Sequence, residues 1–290
     1  MAKIKMTAGD RVFEITLYAF MIIFCITTLY PFYTIIINSL LSSEVPLNQL
    51  YIIPPKINLN AYIRVLSDES IGIGFKNAVF RTVLGTLLTV IVTMAFAYPL
   101  SKKYFPHRNF WTAVIVFTMY FNGGMIPDYL LVKQLGIYNT IWALVLPRLV
   151  SVFHLLIVRN FIMSIPESLE ESAKIDGANE IVILLRIILP LSMPIIATLT
   201  LWTAVWHWNE WFSALIYIQD PRKQVIQNIM RNIVMEGMSS LINEVNAETV
   251  VKPENVKAAT IVITTLPIII TYPFAQKYFV KGVMIGSVIG

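Results

Sequence analysis

Apolar residues in this chain are gathered into six long stretches, and hydrocarbon is the solvent such stretches fit. They fall at Arg11–Leu40, Asn77–Ser101, Asn109–Phe121 with an extension toward Lys133, Thr140–Met163, Pro190–Ile218 and Val256–Phe279. About 20 helical residues cross a bilayer's ~30 Å core, and a lipid-exposed backbone must satisfy its own hydrogen bonds. The fold class expected is therefore an all-α membrane protein with six transmembrane helices. An apolar fraction of 57% against 13% charged residues excludes an ordinary soluble domain. The first stretch is too long for a secretory leader and no small-x-small cleavage pattern follows it, so it is expected to remain as a helix. The single cysteine, Cys25, lies inside that stretch, which rules out an intrachain disulfide.

Lysine and arginine in short flanks set orientation. Lys3, Lys5 and Arg11 precede the first span, and Lys102, Lys103 and Arg108 crowd the second connection. Arg159, Lys174 and Arg186 mark the loop before the fifth span, and Lys277 and Lys281 the tail. Both termini are thus expected in the cytoplasm, with Leu41–Lys76, Asn122–Asn139 and Tyr217–Asn255 outside. The net charge of +5 reads as this bias plus partner surface. No basic groove interleaved with aromatics suggests nucleic acid. Residues 1–290 read as one membrane domain without a short-period repeat. Asn122-Gly123-Gly124, followed by Pro127, is expected to break the third span at the outer edge.

One stretch exceeds what a simple anchor needs: S-I-P-E-S-L-E-E-S-A-K-I-D-G-A-N-E-I-V-I-L-L-R-I-I-L-P, from Ser164 to Pro190. Its first half reads as a short amphipathic helix. Ser164 could cap it in a capping box with Glu167, and Pro166 is tolerated in the first turn. Ile165, Leu169 and Ala173 share one face, with Glu167, Glu170, Glu171 and Lys174 elsewhere. Gly177 ends the helix in the left-handed conformation. Ser172, Ala173 and Gly177 leave room for another protein to approach.

These residues resemble the cytoplasmic coupling loop of ATP-binding-cassette importer permeases. The family pattern is E-A-A, three residues, G, nine residues, I-x-L-P. Glu171, Ser172 and Ala173 fill the triplet with Ser in place of the middle Ala, and Gly177, Ile187, Leu189 and Pro190 keep the spacing. The flanks, containing Glu167, Glu170 and Asp176, are similar to carbohydrate-uptake permeases of the maltose type. F-N-G-G-M-I-P followed by Y-L-L-V-K-Q-L-G-I-Y-N-T resembles their polysaccharide branch, whose relatives handle alginate- or pectin-derived oligosaccharides.

The resemblance implies a type I importer permease (MetI-like) fold in a bacterial inner membrane. The implied partners are a second, homologous permease subunit, two ATPase subunits, an extracytoplasmic sugar-binding protein and a carbohydrate substrate. Residues 164–190 would dock on the ATPase, 217–255 would meet the binding protein, and the tail 277–290 would reach between the ATPases. ATP and magnesium would belong to those partners, with no cofactor or metal in this chain. Consistently, the sequence has no G-x-x-x-x-G-K-[ST] loop, H-E-x-x-H or nucleophile elbow, so the chain is not expected to be an enzyme by itself. An ion-coupled secondary transporter is the competing class, for which paired broken helices and mid-membrane acids would be the mark.

Ionisable groups at bilayer depth mark a second region. In W-T-A-V-W-H-W-N-E-W, Trp202, Trp206 and Glu210 fall at i, i+4 and i+8 on one helix side, with His207 and Asn209 around the rest. Glu210 is about eight residues, or ~12 Å, inside the outer end of its span, the depth of Arg148. The expectation is an Arg148–Glu210 pair, with Arg81 snorkelling to headgroups. His154 and His207 share a depth. Two readings stay open for Arg148, His154, Trp202, Trp206, His207, Asn209 and Glu210: a polar translocation path in which aromatics stack on sugar rings, or packing of the bundle.

Overall fold

The structure, a computed structural model, describes residues 8–46, 49, 51–235 and 251–286. The described residues form helices α1 (Ala8–Leu40), α2 (Asn60–Ser67), α3 (Glu69–Ser101), α4 (Arg108–Tyr120), α5 (Met125–Gln134), α6 (Ile141–Val145) and α7 (Val152–Met163). They continue with α8 (Glu167–Ile175), α9 (Glu180–Ile183), α10 (Leu189–Leu191), α11 (Met193–Asn209), α12 (Phe212–Tyr217), α13 (Ile226–Met235) and α14 (Pro253–Gly286). Among the described residues three helices are long and apolar enough to cross a membrane, and counting each of three bent pairs as one span brings the number to six. The six-span expectation is met, but half of the spans are broken.

The chain forms two compact units, residues 1–68 with 232–265 and residues 69–231 with 266–290. In the first, the loop after α1 folds back. Leu41 bridges Ile57, and the Asn255 amide donates to the carbonyls of Asn38 (3.0 Å) and Leu41 (2.6 Å). Such side-chain bonds satisfy carbonyls at the end of α1 that have no partner within the helix.

In the second unit α3 packs against α7 and α11. Ala78, Arg81, Gly85, Thr89, Thr93 and Ala97 are buried along one side of it, three or four residues apart. Small residues at that spacing let neighbouring backbones approach, which in lipid replaces the missing hydrophobic drive. Toward the Ser101 end, Met94, Ala97 and Tyr98 join Val158, Ile162, Ile183, Ile188 and Leu199 in an apolar core.

Each break has a local cause. Between α4 and α5 the chain turns by 112°, with Gly124 at φ +90° and its N–H donating to Asn122 Oδ1 at 2.8 Å. The fourth span, expected to be continuous, runs as α6, a tight turn Leu146–Arg148 around Pro147, and α7, bent by 54°. Before the fifth span, Leu184–Ile188 widens into a π-helix and the chain bends by 78° next to Ser192. Pro190 cannot donate to the carbonyl one turn back and its ring crowds that group, and a wider turn relieves both. On the opposite side, Asn139 sits at φ +58° and its Oδ1 accepts from the amides of Gln219 and Asp220, both at 3.1 Å. Asn77 Nδ2 donates to the Arg222 and Gln224 carbonyls, both at 2.9 Å, so the loop after α12 is pinned where it begins.

Candidate functional site

The expected amphipathic helix is α8, but it starts differently. Ser164 terminates α7 instead of capping α8, and its hydroxyl donates back to the Phe161 carbonyl at 2.6 Å. The capping box with Glu167 is therefore absent, and Pro166 takes the N-cap position with extended backbone. A serine cannot cap a helix that starts three residues on while its hydroxyl serves the helix before. The end agrees with expectation. Gly177 has φ +82°, its N–H donates to Lys174 (3.0 Å), and the Ala178 N–H donates to Ala173 (2.9 Å). These two bonds make a Schellman stop. Gly177→Ala is expected to destabilise this stop by about 1–2 kcal/mol, the cost of a side chain in left-handed backbone. Thermal unfolding of the purified chain measures it.

Ile165, Ala173 and Ala178 pack on the apolar core, but Leu169, expected on the same face, is exposed. Glu170 replaces it inward, 8% exposed, and forms a buried ion pair with Lys102 just past the end of α3. Sequence periodicity placed Glu170 on the outer side; a counter-charge from another helix reverses that. Glu171, Ser172 and Asp176 are exposed. Lys103 meets Glu167 at 2.7 Å in the open, and Lys174 meets Glu180 at 2.8 Å. Hydrogen bonding to Lys103 holds the Glu167 carboxyl below its ordinary range, while bonds to Glu180 and then to the Tyr104 hydroxyl raise Lys174. The short second connection and the 164–190 loop therefore lie at one end, as their shared Lys/Arg content implied. Farther along, Ile187 and Leu189 are half-buried and Pro190 is exposed beside the bend.

At the opposite end, α11 stops at Asn209, so Glu210 does not continue the Trp202–Trp206 face; it caps the helix in extended backbone. Its carboxylate pairs with Arg81, whose side chain is fully buried, and accepts from the Ser213 hydroxyl and from the Ser213 N–H at 2.7 Å. Arg81 also reaches the Leu144 carbonyl at 3.4 Å. The expected Arg148–Glu210 pair and the snorkelling Arg81 are both corrected. Depth allowed either arginine, and only helix packing selects Arg81.

Arg148 is exposed instead and lines two adjoining cavities of about 340 and 540 Å³. Both are shared with Asn122, Asp128 and Trp206, and the larger adds His154. His154 stacks on Trp202 at 5.3 Å between centroids. His207 is turned away, 1% exposed, against Gly85. Asn209 donates to its own helix at Val205, 2.9 Å away. Arg148, His154 and Trp206 are thus brought together, Glu210 shares the smaller cavity with Arg148 and Trp206, and His207 is packed away from both. Asn122 and Asp128 were missed as cavity residues, although an acid immediately after a glycine break was a readable signal.

Short broken spans around a polar cavity, above a surface helix ended by glycine, match a known family. The model of the binding-protein-dependent transport system inner membrane component matches residues 8–285. The chain belongs to this family. Protein LplC of Bacillus subtilis (strain 168) is 42% identical over 286 residues, covering 98% of this chain and 97% of its own. The polygalacturonan/rhamnogalacturonan transport system permease protein YtcP of the same organism is 39% identical, covering 97% and 99%. Among solved structures, a chain of a bacterial ABC transporter involved in the import of the acidic polysaccharide alginate superposes with a TM-score of 0.91 at 32% identity, covering 96% of this chain and all of that one. The expected importer-permease fold is borne out. This permease is a membrane component of an ABC transport system, and that family match sets the ion-coupled alternative aside.

Proposed function

We propose that this permease is one of two homologous membrane subunits of an ATP-driven, binding-protein-dependent importer of carbohydrate, and that an oligosaccharide from an acidic polysaccharide is its cargo. The observation behind the coupling half is α8: a surface helix that, with its C-cap Asp176, shows Glu171 and Ser172 to solvent while Glu170 and Ala173 face the bundle. A docked ATPase pair would close on two such helices, and the rigid spans would convert that closure into outward opening. The cargo half draws on relatives named for polygalacturonan, rhamnogalacturonan and alginate. It also draws on the cavity, where the Arg148 guanidinium suits a carboxylate and Trp206 suits a sugar face. Residues 217–235 would begin a surface for the binding protein; residues 236–250 and 287–290, the rest of that loop and the end of the tail, lie outside the described residues.

Co-purification with two ATPase subunits and a second permease is the first expected result. Glu171→Lys is expected to lower uptake of a pectin or alginate digest by about tenfold or more, the scale of a lost inter-site coupling, with membrane insertion intact. Wild-type uptake by that variant, or proton-driven uptake by the lone chain, would count against the reading.

A further inference from the structure

A surface helix of nine residues can move the spans only if something stiffer than its two connecting loops joins it to them. Lys102 and Glu170 form such a joint. Both side chains are charged, yet each residue is only 8% exposed, and they are paired. Lys102 follows the last residue of α3, where a cation also favours the helix dipole. Its ammonium lies 4.5 Å over the Tyr98 ring, and the Tyr98 hydroxyl donates to Glu180 at 2.6 Å. The other Glu180 oxygen receives Tyr104 at 2.9 Å and Lys174 at 2.8 Å. Hence a buried pair ties α8 through Glu170 to the end of α3, and an exposed pair, Lys174–Glu180, adds a weaker tie to the start of α9. Exposed ion pairs are worth little, but a buried pair tolerates neither partner's loss nor much displacement. Lys103–Glu167, with side chains 75% and 66% exposed, is the exposed kind.

We propose that Lys102 is the positioning residue that hands displacement of α8 to α3, with Tyr98 and Glu180 as its brace. The inference rests on α8 being the coupling helix. Because α3 packs on α7 and α11, a shift at its Lys102 end reaches the cavity wall through one continuous helix. The second connection, Ser101–Arg108, then belongs to the coupling machinery together with the 164–190 loop.

The test uses the whole assembly in proteoliposomes and reads ATP hydrolysis with and without the cognate binding protein, sugar-free or loaded from pectin and alginate digests. Lys102→Met is expected to keep basal hydrolysis and lose about tenfold of the stimulation, within the usual range of coupling energies, and Glu170→Gln to lose the stimulation likewise. The swap Lys102→Glu with Glu170→Lys should restore part of it, which a merely misfolded loop would not allow. Tyr98→Phe, which keeps the ring and loses the hydroxyl, covers the case in which Lys102→Met fails to assemble, and should lose part of the stimulation. Lys103→Met should behave as wild type. Full stimulation in Lys102→Met, or in Tyr98→Phe where the former does not assemble, overturns the proposal. If Glu171→Lys uncouples while the Lys102 and Tyr98 variants do not, this inference falls and the coupling reading stands. If Glu171→Lys is silent as well, both fall.

Discussion

Arg81→Ala is expected to destabilise the permease by about 3–5 kcal/mol, the cost of leaving one member of a buried ion pair without the other. Glu210 would then hold its charge inside the bundle with only Ser213 to satisfy it, and the break between α11 and α12 would lose its tie to the Leu144 carbonyl. Replacing both members, as in Arg81→Met with Glu210→Leu, removes the desolvated charges together and should recover most of the loss. Thermal unfolding of the purified subunit in detergent distinguishes the cases. A single substitution costing under ~1 kcal/mol would mean that the pair is solvated and does not brace the break.

The second large effect is expected at Gly85, where α3 and α11 are closest in kind to a small-residue crossing. A Cβ built there would lie 2.4 Å from Nε2, 2.5 Å from Cε1 and 2.8 Å from Cδ2 of the His207 ring. Replacing a mid-helix glycine by alanine ordinarily gains about 0.5–1 kcal/mol, whereas overpacking costs about 1–3 kcal/mol. The clash should win, because the ring is buried and is not the free end of a flexible chain. Gly85→Ala is therefore expected to destabilise, Gly85→Leu more so, and Gly85→Ala with His207→Ala to return toward wild type. A stabilised Gly85→Ala would show that the two helices can spread without penalty.

Much of the 164–190 loop was legible. Gly177 was readable as a stop because few residues tolerate left-handed backbone, and the structure places it at φ +82°. Gly123 and Gly124 announced the third-span break for a similar reason. Ser164 misled because a serine between two helices can serve either, and spacing alone favoured the second. Glu170 misled because a helical repeat assigns faces by apolarity. A glutamate is assigned to water unless a buried cation waits on another element, and Lys102 is 68 residues away in the chain.

Hydropathy and charge placement in the chain alone determined the six crossings and the shared end of the second connection and the 164–190 loop. These are properties of segments, and each follows from local composition and the bilayer's thickness. Tertiary structure alone decided which arginine meets Glu210, that Glu170 turns inward, and that Arg148, Asp128 and Trp206 share a cavity. The physical reason is that sequence sets the depth of a residue along its helix, while the rotation of that helix about its axis is set by neighbours. A partner charge a few ångströms to the side outweighs any local preference.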